Sequence, residues 1–387
     1  MPELRVAIAY DCLFPLNTGG GERVYRRLAE IFVQRGGLVD YLTRRQWDAA
    51  AVSTATFSIV PVWRGDIYDG SGTRTPQSAV LFAFSLFRYF VRHRGQHDVV
   101  VVSALPVLNV FAVQLALLGT RVFIVSDWLE VWDWAKWRSY SGASVGTVAF
   151  MLQFFAIRLG HLHTVNSEFT GTRVRHYRRS AQPVTLGLVD LADDETDAST
   201  GRRTTPSLVF VGRHIADKRL IDLLPAFLLA RDSIADLRLD IVGTGPETAA
   251  VAARITDLGL DGCVTLHGRV PEAELKQLIS NARALVNPSE REGFGLVIAE
   301  AAALTTPSVV VAGPNNAAAD LVVDGVNGFV AASIEPQILA AALVRAVEAG
   351  EPLRASTREW FARARVTSGL DRSVSEILLA YGSRRAR

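Results

Sequence analysis

Short runs of aliphatic and β-branched residues alternate with stretches of helical period along most of this chain. In its first half, Leu4–Tyr10, Leu38–Leu42, Phe57–Val60, Val99–Val102, Val122–Ser126 and Leu162–Asn166 read as strands. Helical patterns start near Glu22, cover Ser78–Arg92 and fill the intervals after the fourth and fifth strands. After Asp190 comes a polar stretch without period, Leu-Ala-Asp-Asp-Glu-Thr-Asp-Ala-Ser-Thr-Gly-Arg-Arg-Thr-Thr-Pro, which reads as an exposed linker over 191–206. The alternation then restarts. Strands are expected at Ser207–Val211, Leu237–Val242, Val264–Leu266, Ala284–Asn287 and Ser308–Val311, and helices at Arg219–Arg231, Glu247–Leu258 and Glu272–Asn281, with another following Gly295. Repeated βα units predict an α/β fold of two doubly wound, Rossmann-like domains, 1–190 and 207–365, with a helix at 366–387 returning to the first. Ligands of such sheets bind beyond the carboxyl ends of the strands, so two facing domains imply a cleft.

Composition narrows the class. The 387 residues are 49% hydrophobic, which fits a globular protein of more than one core. Cys12 and Cys263 lie far apart and form no metal or redox spacing, so a reducing, cytoplasmic compartment is expected, without a secretion signal. The apolar stretch Val99–Val125 is broken by Pro106, Asn109, Gln114, Gly119 and Arg121 into pieces too short to span a bilayer. The net charge of +2 conceals an asymmetry: residues 1–180 hold 20 Arg and Lys against 13 Asp and Glu, leaving 21 against 26 for the rest.

The chemistry concentrates between Asn287 and Leu304. Glu292 and Glu300 stand eight residues apart around Gly293-Phe294-Gly295 and an apolar helix beginning near Gly295. The unpaired N–H groups of that helix start favour an anion, and Glu292 would lie beside it. Glu300, among Leu, Val, Ile and Ala, needs donors such as the hydroxyls of a ribose. Upstream, the strand ending at Val211 runs into Gly212-Arg213-His214-Ile215-Ala216-Asp217-Lys218, which places two cations where a departing diphosphate could be neutralised. Only Lys136, Lys218 and Lys276 are lysines, so a compact ammonium is scarce. Gly243-Thr244-Gly245-Pro246-Glu247 is a second strand-to-helix turn, with proline and an acid suited to a first helical turn. His267-Gly268-Arg269-Val270 is a third, whose backbone could bracket a flat base. Gly19, Gly20 and Gly21 open the first helix and let backbone N–H groups approach a phosphate or sugar.

Gly-Arg…Lys at 212–218, Val-Gly-Thr-Gly-Pro-Glu at 242–247, Pro-Ser…Glu-Gly-Phe-Gly…Glu at 288–300 and Asp-Gly-Val-Asn-Gly at 324–328 occur in one order and spacing. With the glycines at 19–21 and Asn166-Ser167-Glu168, they make the chain resemble the GT-B glycosyltransferases of family 4. The resemblance implies retaining transfer of a sugar from a nucleoside diphosphate donor, with no metal and no other cofactor, by a covalent or a front-face path. It further implies that Arg213 and Lys218 bind the diphosphate, Glu300 the donor ribose and Glu292 the donor sugar, as the catalytic carboxylate. Gly243, Gly245, Val270, Gly293 and Phe294 join the donor site, Gly295 and Leu296 offer N–H groups to phosphate, and Gly20 closes from the other domain. Relatives carry a histidine after the strand matching Arg121–Val125; Ser126-Asp127-Trp128 stands here, which nominates Asp127 as a second catalytic residue.

Four of the seven tryptophans fall in residues 128–137. Trp128, Trp132 and Trp134 are candidates for an acceptor platform, because aromatic faces stack on sugars; a packed core and an interfacial anchor are the competing readings. The aromatic helix 81–94 ends in Arg88, Arg92 and Arg94, which suits an anionic membrane surface, and also a buried helix with snorkelling arginines. The expected partners are a nucleotide sugar and a glycan or lipid-linked acceptor, in cell-envelope or extracellular polysaccharide synthesis, at the inner face of the membrane. Nucleic acid is not expected. A non-catalytic sugar-nucleotide-binding scaffold is the rival; a dinucleotide-dependent oxidoreductase is disfavoured by the absence of a glycine fingerprint directly after the first strand.

Overall fold

A computed structural model of the chain describes residues 3–17, 19–47, 56–67, 75–192 and 205–386. It separates into two compact units, Met1–Leu188 with Gly369–Arg387, and Val189–Ser368. Each is built on one wholly parallel sheet.

In the first unit the strands are β1 (Arg5–Ala9), β2 (Leu38–Arg45), β3 (Ser58–Arg64), β4 (Val99–Ser103), β5 (Phe123–Trp128), β6 (Leu162–Val165) and β7 (Val184–Thr185). They lie in the order β3-β2-β1-β4-β5-β6-β7, so the direction of winding reverses between β1 and β4. The connecting helices are α1 (Gly20–Gln34), α2 (Pro76–Arg92), α3 (Leu108–Ala116), α4 (Trp134–Ser141), α5 (Ala143–Ala156) and α6 (Glu168–Tyr177). Right-handed crossovers put α1 on one face of the sheet and α2, α3 and α5 on the other. Alternate strand residues Ala7, Ala9, Val100, Val102 and Ile124 meet Phe82, Leu86 and Phe90 of α2 and Val113 of α3 there. The three α2 side chains are fully buried, and each contributes about 1.5–3 kcal/mol by leaving water. The start of α2 is fixed by Thr75, whose hydroxyl accepts from Ser78 N at 3.3 Å, and by Pro76 in the first turn.

The second unit orders its sheet β10-β9-β8-β11-β13-β15, from β8 (Ser207–Val211), β9 (Arg238–Val242), β10 (Val264–Gly268), β11 (Ala284–Asn287), β13 (Ser308–Val311) and β15 (Gly328–Ala331). A two-strand ribbon of β12 (Arg291–Glu292) and β14 (Asn315–Asn316) stands apart from it. Its helices are α7 (Leu220–Ser233), α8 (Thr248–Asp257), α9 (Glu272–Asn281), α10 (Leu296–Ala303) and α11 (Pro336–Thr367). The sequence pattern did not yield β15, only four residues long, or α11, whose period is interrupted by Gly350 at φ 54° and by Pro352. The last helix, α12 (Leu370–Arg385), packs on α1 of the first unit, where the Arg35 guanidinium spans Asp371 at 2.9 and 2.7 Å.

The unit boundary falls at Leu188 rather than Asp190. Val189 and Ala192 bury themselves against Ala299, Ala302, Ala303 and Phe361, which ties this turn to α10 and α11. Most of the expected linker, 193–204, lies outside the described residues.

Two site expectations are corrected by burial. Asp127 has no exposed surface; Tyr25 Oη donates to its Oδ2 at 2.5 Å and Thr164 Oγ1 to its Oδ1 at 2.5 Å. It ties α1 to β6 rather than facing a substrate. Trp128 is likewise a core residue, its indole N–H donating to His163 Nδ1 at 3.1 Å, so it offers no face to a sugar. The sequence signal misled here because a carboxylate and an indole at a strand end can turn inward when hydroxyl and imidazole partners await them.

These neighbours titrate in opposition. Burial lifts the Asp127 carboxyl from 3.8 to about 6, so the folded chain retains a proton there that the unfolded chain loses, and stability falls as pH rises through that window. Burial, with the Arg178 guanidinium beside it, lowers His163 from 6.5 to about 4, so stability falls as pH drops through that window. The two slopes nearly cancel in the native chain. Asp127→Asn removes the first, and between pH 6.5 and 4 the variant is expected to lose on the order of 3 kcal/mol more than the parent, read by urea denaturation at each pH. Parallel pH profiles for the two proteins would refute the assignment.

Candidate functional site

In the second unit the winding reverses between β8 and β11, and the segments leaving the carboxyl ends of these strands form the candidate site. From β8 the chain passes Gly212, Arg213 and His214 into a single 3₁₀ turn, Ala216–Lys218, then enters α7 through Arg219 at φ 50°. From β11 it passes Asn287, Pro288 and Ser289 into β12. The two segments are fastened to each other: Glu290 N donates to Asp217 O at 2.9 Å, and Arg219 meets the Glu290 carboxylate at 3.1 Å.

Across this junction Lys218 Nζ donates to Glu292 Oε1. Sequence reasoning gave these residues separate tasks, and the fold brings them into contact. The same carboxylate oxygen accepts from Asn287 Nδ2 at 3.3 Å and Ser289 Oγ at 3.2 Å. Both side chains of the pair are largely shielded, with 21% of Lys218 and 15% of Glu292 exposed. Each charge therefore needs the other, because partial burial penalises an ion left alone. Behind Glu292, buried Asn316 donates through Nδ2 to Ser289 O at 3.0 Å and Val311 O at 2.9 Å, and its Oδ1 accepts from Ala318 N at 3.1 Å. Asn287, Ser289 and Asn316 were not singled out from sequence. Ser289 and Asn287 had a signal, a polar pair flanking a proline before an acid; Asn316 had none.

Beside this pair the three glycine turns stack. Gly212 N donates to Val242 O at 3.0 Å, His214 N to Thr244 O at 3.2 Å, and Gly243 N to Gly268 O at 2.7 Å. The approach is so close that a Cβ on Gly243, at φ +126°, would lie 1.9 Å from Gly212 O, and one on Gly245 would lie 2.3 Å from His214 O. His214 is held beneath by Thr248 Oγ1 at 2.9 Å from Nδ1, and burial lowers its pKa, which favours the neutral ring. Arg213, by contrast, is exposed beside the turns, and Val270 is half-buried after the third of them.

Gly295, at φ +92°, is the N-cap of α10, packed so tightly that a Cβ would meet Ala318 Cβ at 2.6 Å. Gly293 and Phe294 precede it, half-buried. The helix is not closed all round, as its composition suggested. Leu296, Val297 and Glu300 share a half-buried side, while Ile298, Ala299, Ala301 and Ala302 are buried. Its far end is fixed by buried Arg354, which donates to Leu304 O, Ser280 O and Ala282 O. One guanidinium thus satisfies carbonyls at the ends of α9 and α10 together.

The first unit holds the remaining candidates. Gly19 caps α1, and Gly20 and Gly21 begin it, with the Glu22 carboxylate folded back over Gly19. Trp132 is half-buried against Trp137 and Tyr140 at ring separations of 4.6 and 5.0 Å, and Gln153 binds its backbone on both sides. Trp134 is exposed, under the Arg138 guanidinium at 4.2 Å. His161 and His163 serve packing. Among the described residues no cluster of His, Cys, Asp or Glu has the makings of a metal site.

Comparison with known proteins places the fold. Residues 205–349 match the family described as glycosyl transferases group 1. A D-inositol 3-phosphate glycosyltransferase of Frankia alni is 35% identical over 177 residues, covering 41% of this chain and 43% of that protein. The chain therefore spans less than half the length of such a relative in that match. Sucrose-phosphate synthase from Thermosynechococcus elongatus superposes with a TM-score of 0.76 over 99% of this chain and all of its own, at 16% identity. The pneumococcal O-GlcNAc transferase GtfA, solved with UDP and GlcNAc, superposes with a TM-score of 0.70 over both whole chains at 12% identity. The fold is that of the GT-B glycosyltransferases, and within the second unit residues 205–349 are similar to the glycosyl transferases group 1 family.

The glycine stack yields a direct test. Gly243→Ala forces a Cβ into the Gly212 carbonyl at a φ closed to alanine, so the variant is expected to lose at least about 3 kcal/mol of stability. Thermal denaturation measures this; an unchanged midpoint would mean that the turns do not pack as described.

Proposed function

We propose that the chain is a retaining glycosyltransferase that moves a sugar from a nucleoside diphosphate sugar to a glycan or lipid-linked acceptor in cell-envelope or extracellular polysaccharide synthesis. The Lys218–Glu292 contact at the switch point carries the reading. Arg213 and Lys218 supply positive charge for the two phosphates, without calling on a divalent cation, and the N–H groups opening α10 add hydrogen bonds. Glu300, on the half-buried side of that helix, takes the donor ribose. Glu292 takes the hydroxyls of the transferred sugar and stabilises the cationic character that develops at its anomeric carbon.

The pairing adds a step to this account. A lysine already engaged by a carboxylate is shared when a diphosphate arrives: the ammonium turns to phosphate, and the released glutamate turns to sugar. Asn287 and Ser289 hold Glu292 in place meanwhile. Donor binding therefore prepares the carboxylate, and the cationic clamp that received the diphosphate stabilises it as the leaving group. That arrangement supports a front-face path, with the leaving phosphate accepting the acceptor's proton, over a covalent one.

The two partners separate in mutants. Lys218→Ala is expected to weaken UDP binding by about 1.5–3 kcal/mol in calorimetry, the value of a hydrogen bond to a charged group. Glu292→Gln is expected to bind UDP as tightly as the parent or tighter, since a competitor for Lys218 has gone, yet to lose sugar transfer in a screen of donors. Unimpaired transfer by Glu292→Gln would remove it from the chemistry, and UDP binding insensitive to Lys218 would remove the lysine. Retention is read from the anomeric configuration of the product.

A further inference from the structure

α5 is folded inside out. Its buried positions include Gly146 and Gln153, whereas Val145, Val148, Met151 and Phe155 face outward, with Val148 60% and Phe155 51% exposed. An apolar stripe on the solvent side of a helix is the reverse of what a solitary globular surface requires. The neighbouring helices continue it. On α2, Val80, Leu81, Phe84 and Val91 are exposed, and Leu115 and Leu118 at the end of α3 extend the patch, with α3 in contact with both α2 and α5. Twelve of the eighteen large apolar side chains exposed among the described residues fall within 76–94, 107–120 and 134–160.

The charges of these segments are of one sign. They contain Arg88, Arg92, Arg94, Lys136, Arg138 and Arg158 and no Asp or Glu, in a chain where a tenth of all residues are acidic. The nearest carboxylate before α4, Asp133, is its N-cap and accepts from Lys136 N at 2.8 Å. Arg88, Arg138 and Arg158 lie over Phe84, Trp134 and Phe154 at 6.0, 4.2 and 3.6 Å, which keeps the cations beside the apolar surface.

We propose that this face of the first unit, formed by α2, α3, α4 and α5, seats on an anionic lipid bilayer, with Val145, Val148, Met151, Phe155 and Phe84 entering the acyl boundary and the exposed Arg88, Arg92, Arg94 and Arg158 meeting lipid phosphates. Charge decides the occupant. A second copy of the chain across a two-fold axis would set the same cations against each other with no acid within these three segments to offset them, whereas an anionic surface complements them. Depth follows from length: α5, at 14 residues, spans about 21 Å, short of the hydrocarbon core, and among the described residues no helix is long and apolar enough to cross a membrane. The face lies on the surface of the bilayer. This proposal stands independently of sugar transfer.

Flotation of the full chain with phosphatidylcholine vesicles containing phosphatidylglycerol tests it, with phosphatidylcholine alone as reference. The parent is expected to float with the anionic vesicles at low salt and to be released by added salt. The double variant Val148→Glu/Phe155→Glu is expected to bind at least about tenfold more weakly, with an unchanged thermal midpoint because both sites are exposed. Leu379→Glu, at a still more exposed apolar residue on α12, is expected to float like the parent. Failure of the parent to float, or flotation of the double variant at parental level, overturns the proposal. So does a lipid-free dimer that the double variant abolishes, which would assign the face to a second copy. UDP binding by a protein that does not float would refute the membrane seat alone.

Discussion

An ammonium and a carboxylate held together where a parallel sheet changes its direction of winding organise the second unit. Lys218 reaches that point because a 3₁₀ turn and a left-handed Arg219 redirect the chain after β8, and Glu292 because a short ribbon braced by Asn316 carries it beyond β11. Neither charge is well solvated, so neither position tolerates losing the other without a substitute. A ligand that brings negative charge to one and hydroxyls to the other is such a substitute. Under the function proposed above, the Lys218–Glu292 pair already contains the competition that a sugar nucleotide would resolve.

Much of this was legible in sequence. Buried parallel strands announce themselves as apolar runs, and Ser207–Val211, Ala284–Asn287 and Ser308–Val311 fall where the pattern put them. The glycines of the turns were legible as glycines; the reason for them was not. Gly243 and Gly245 are small because the carbonyls of Gly212 and His214 occupy the space, a fact belonging to two strands at once. The Lys218–Glu292 contact was hidden for the same reason, being separated by 74 positions in the chain. Asp127 and Trp128 show the opposite failure. The resemblance nominated Asp127, and its aromatic face nominated Trp128 with a packed core as the competing reading; only the positions of Tyr25, Thr164 and His163 reveal that both are spent on packing.

The first unit uses its helices differently on its two faces. On one, α1 is covered by α12, with Arg35 and Asp371 joined at the seam. On the other, α2, α3 and α5 bury only the sides that meet the sheet, and keep apolar residues outward among arginines. The tryptophan-rich segment, ambiguous as a sequence, divides accordingly: Trp128 supports the core, Trp132 and Trp137 share Gln153 as a hydrogen-bonding hub, and Trp134 alone looks outward.

The placement of α12 has a consequence for assembly during synthesis. Its residues follow the whole of Val189–Ser368 in the chain, yet they complete the unit begun at the amino end. While the ribosome is making the second unit, the side of α1 that α12 will cover remains open, and the first unit waits in an unfinished state. Premature termination anywhere in the second unit would thus injure the first as well, leaving two damaged cores in place of one.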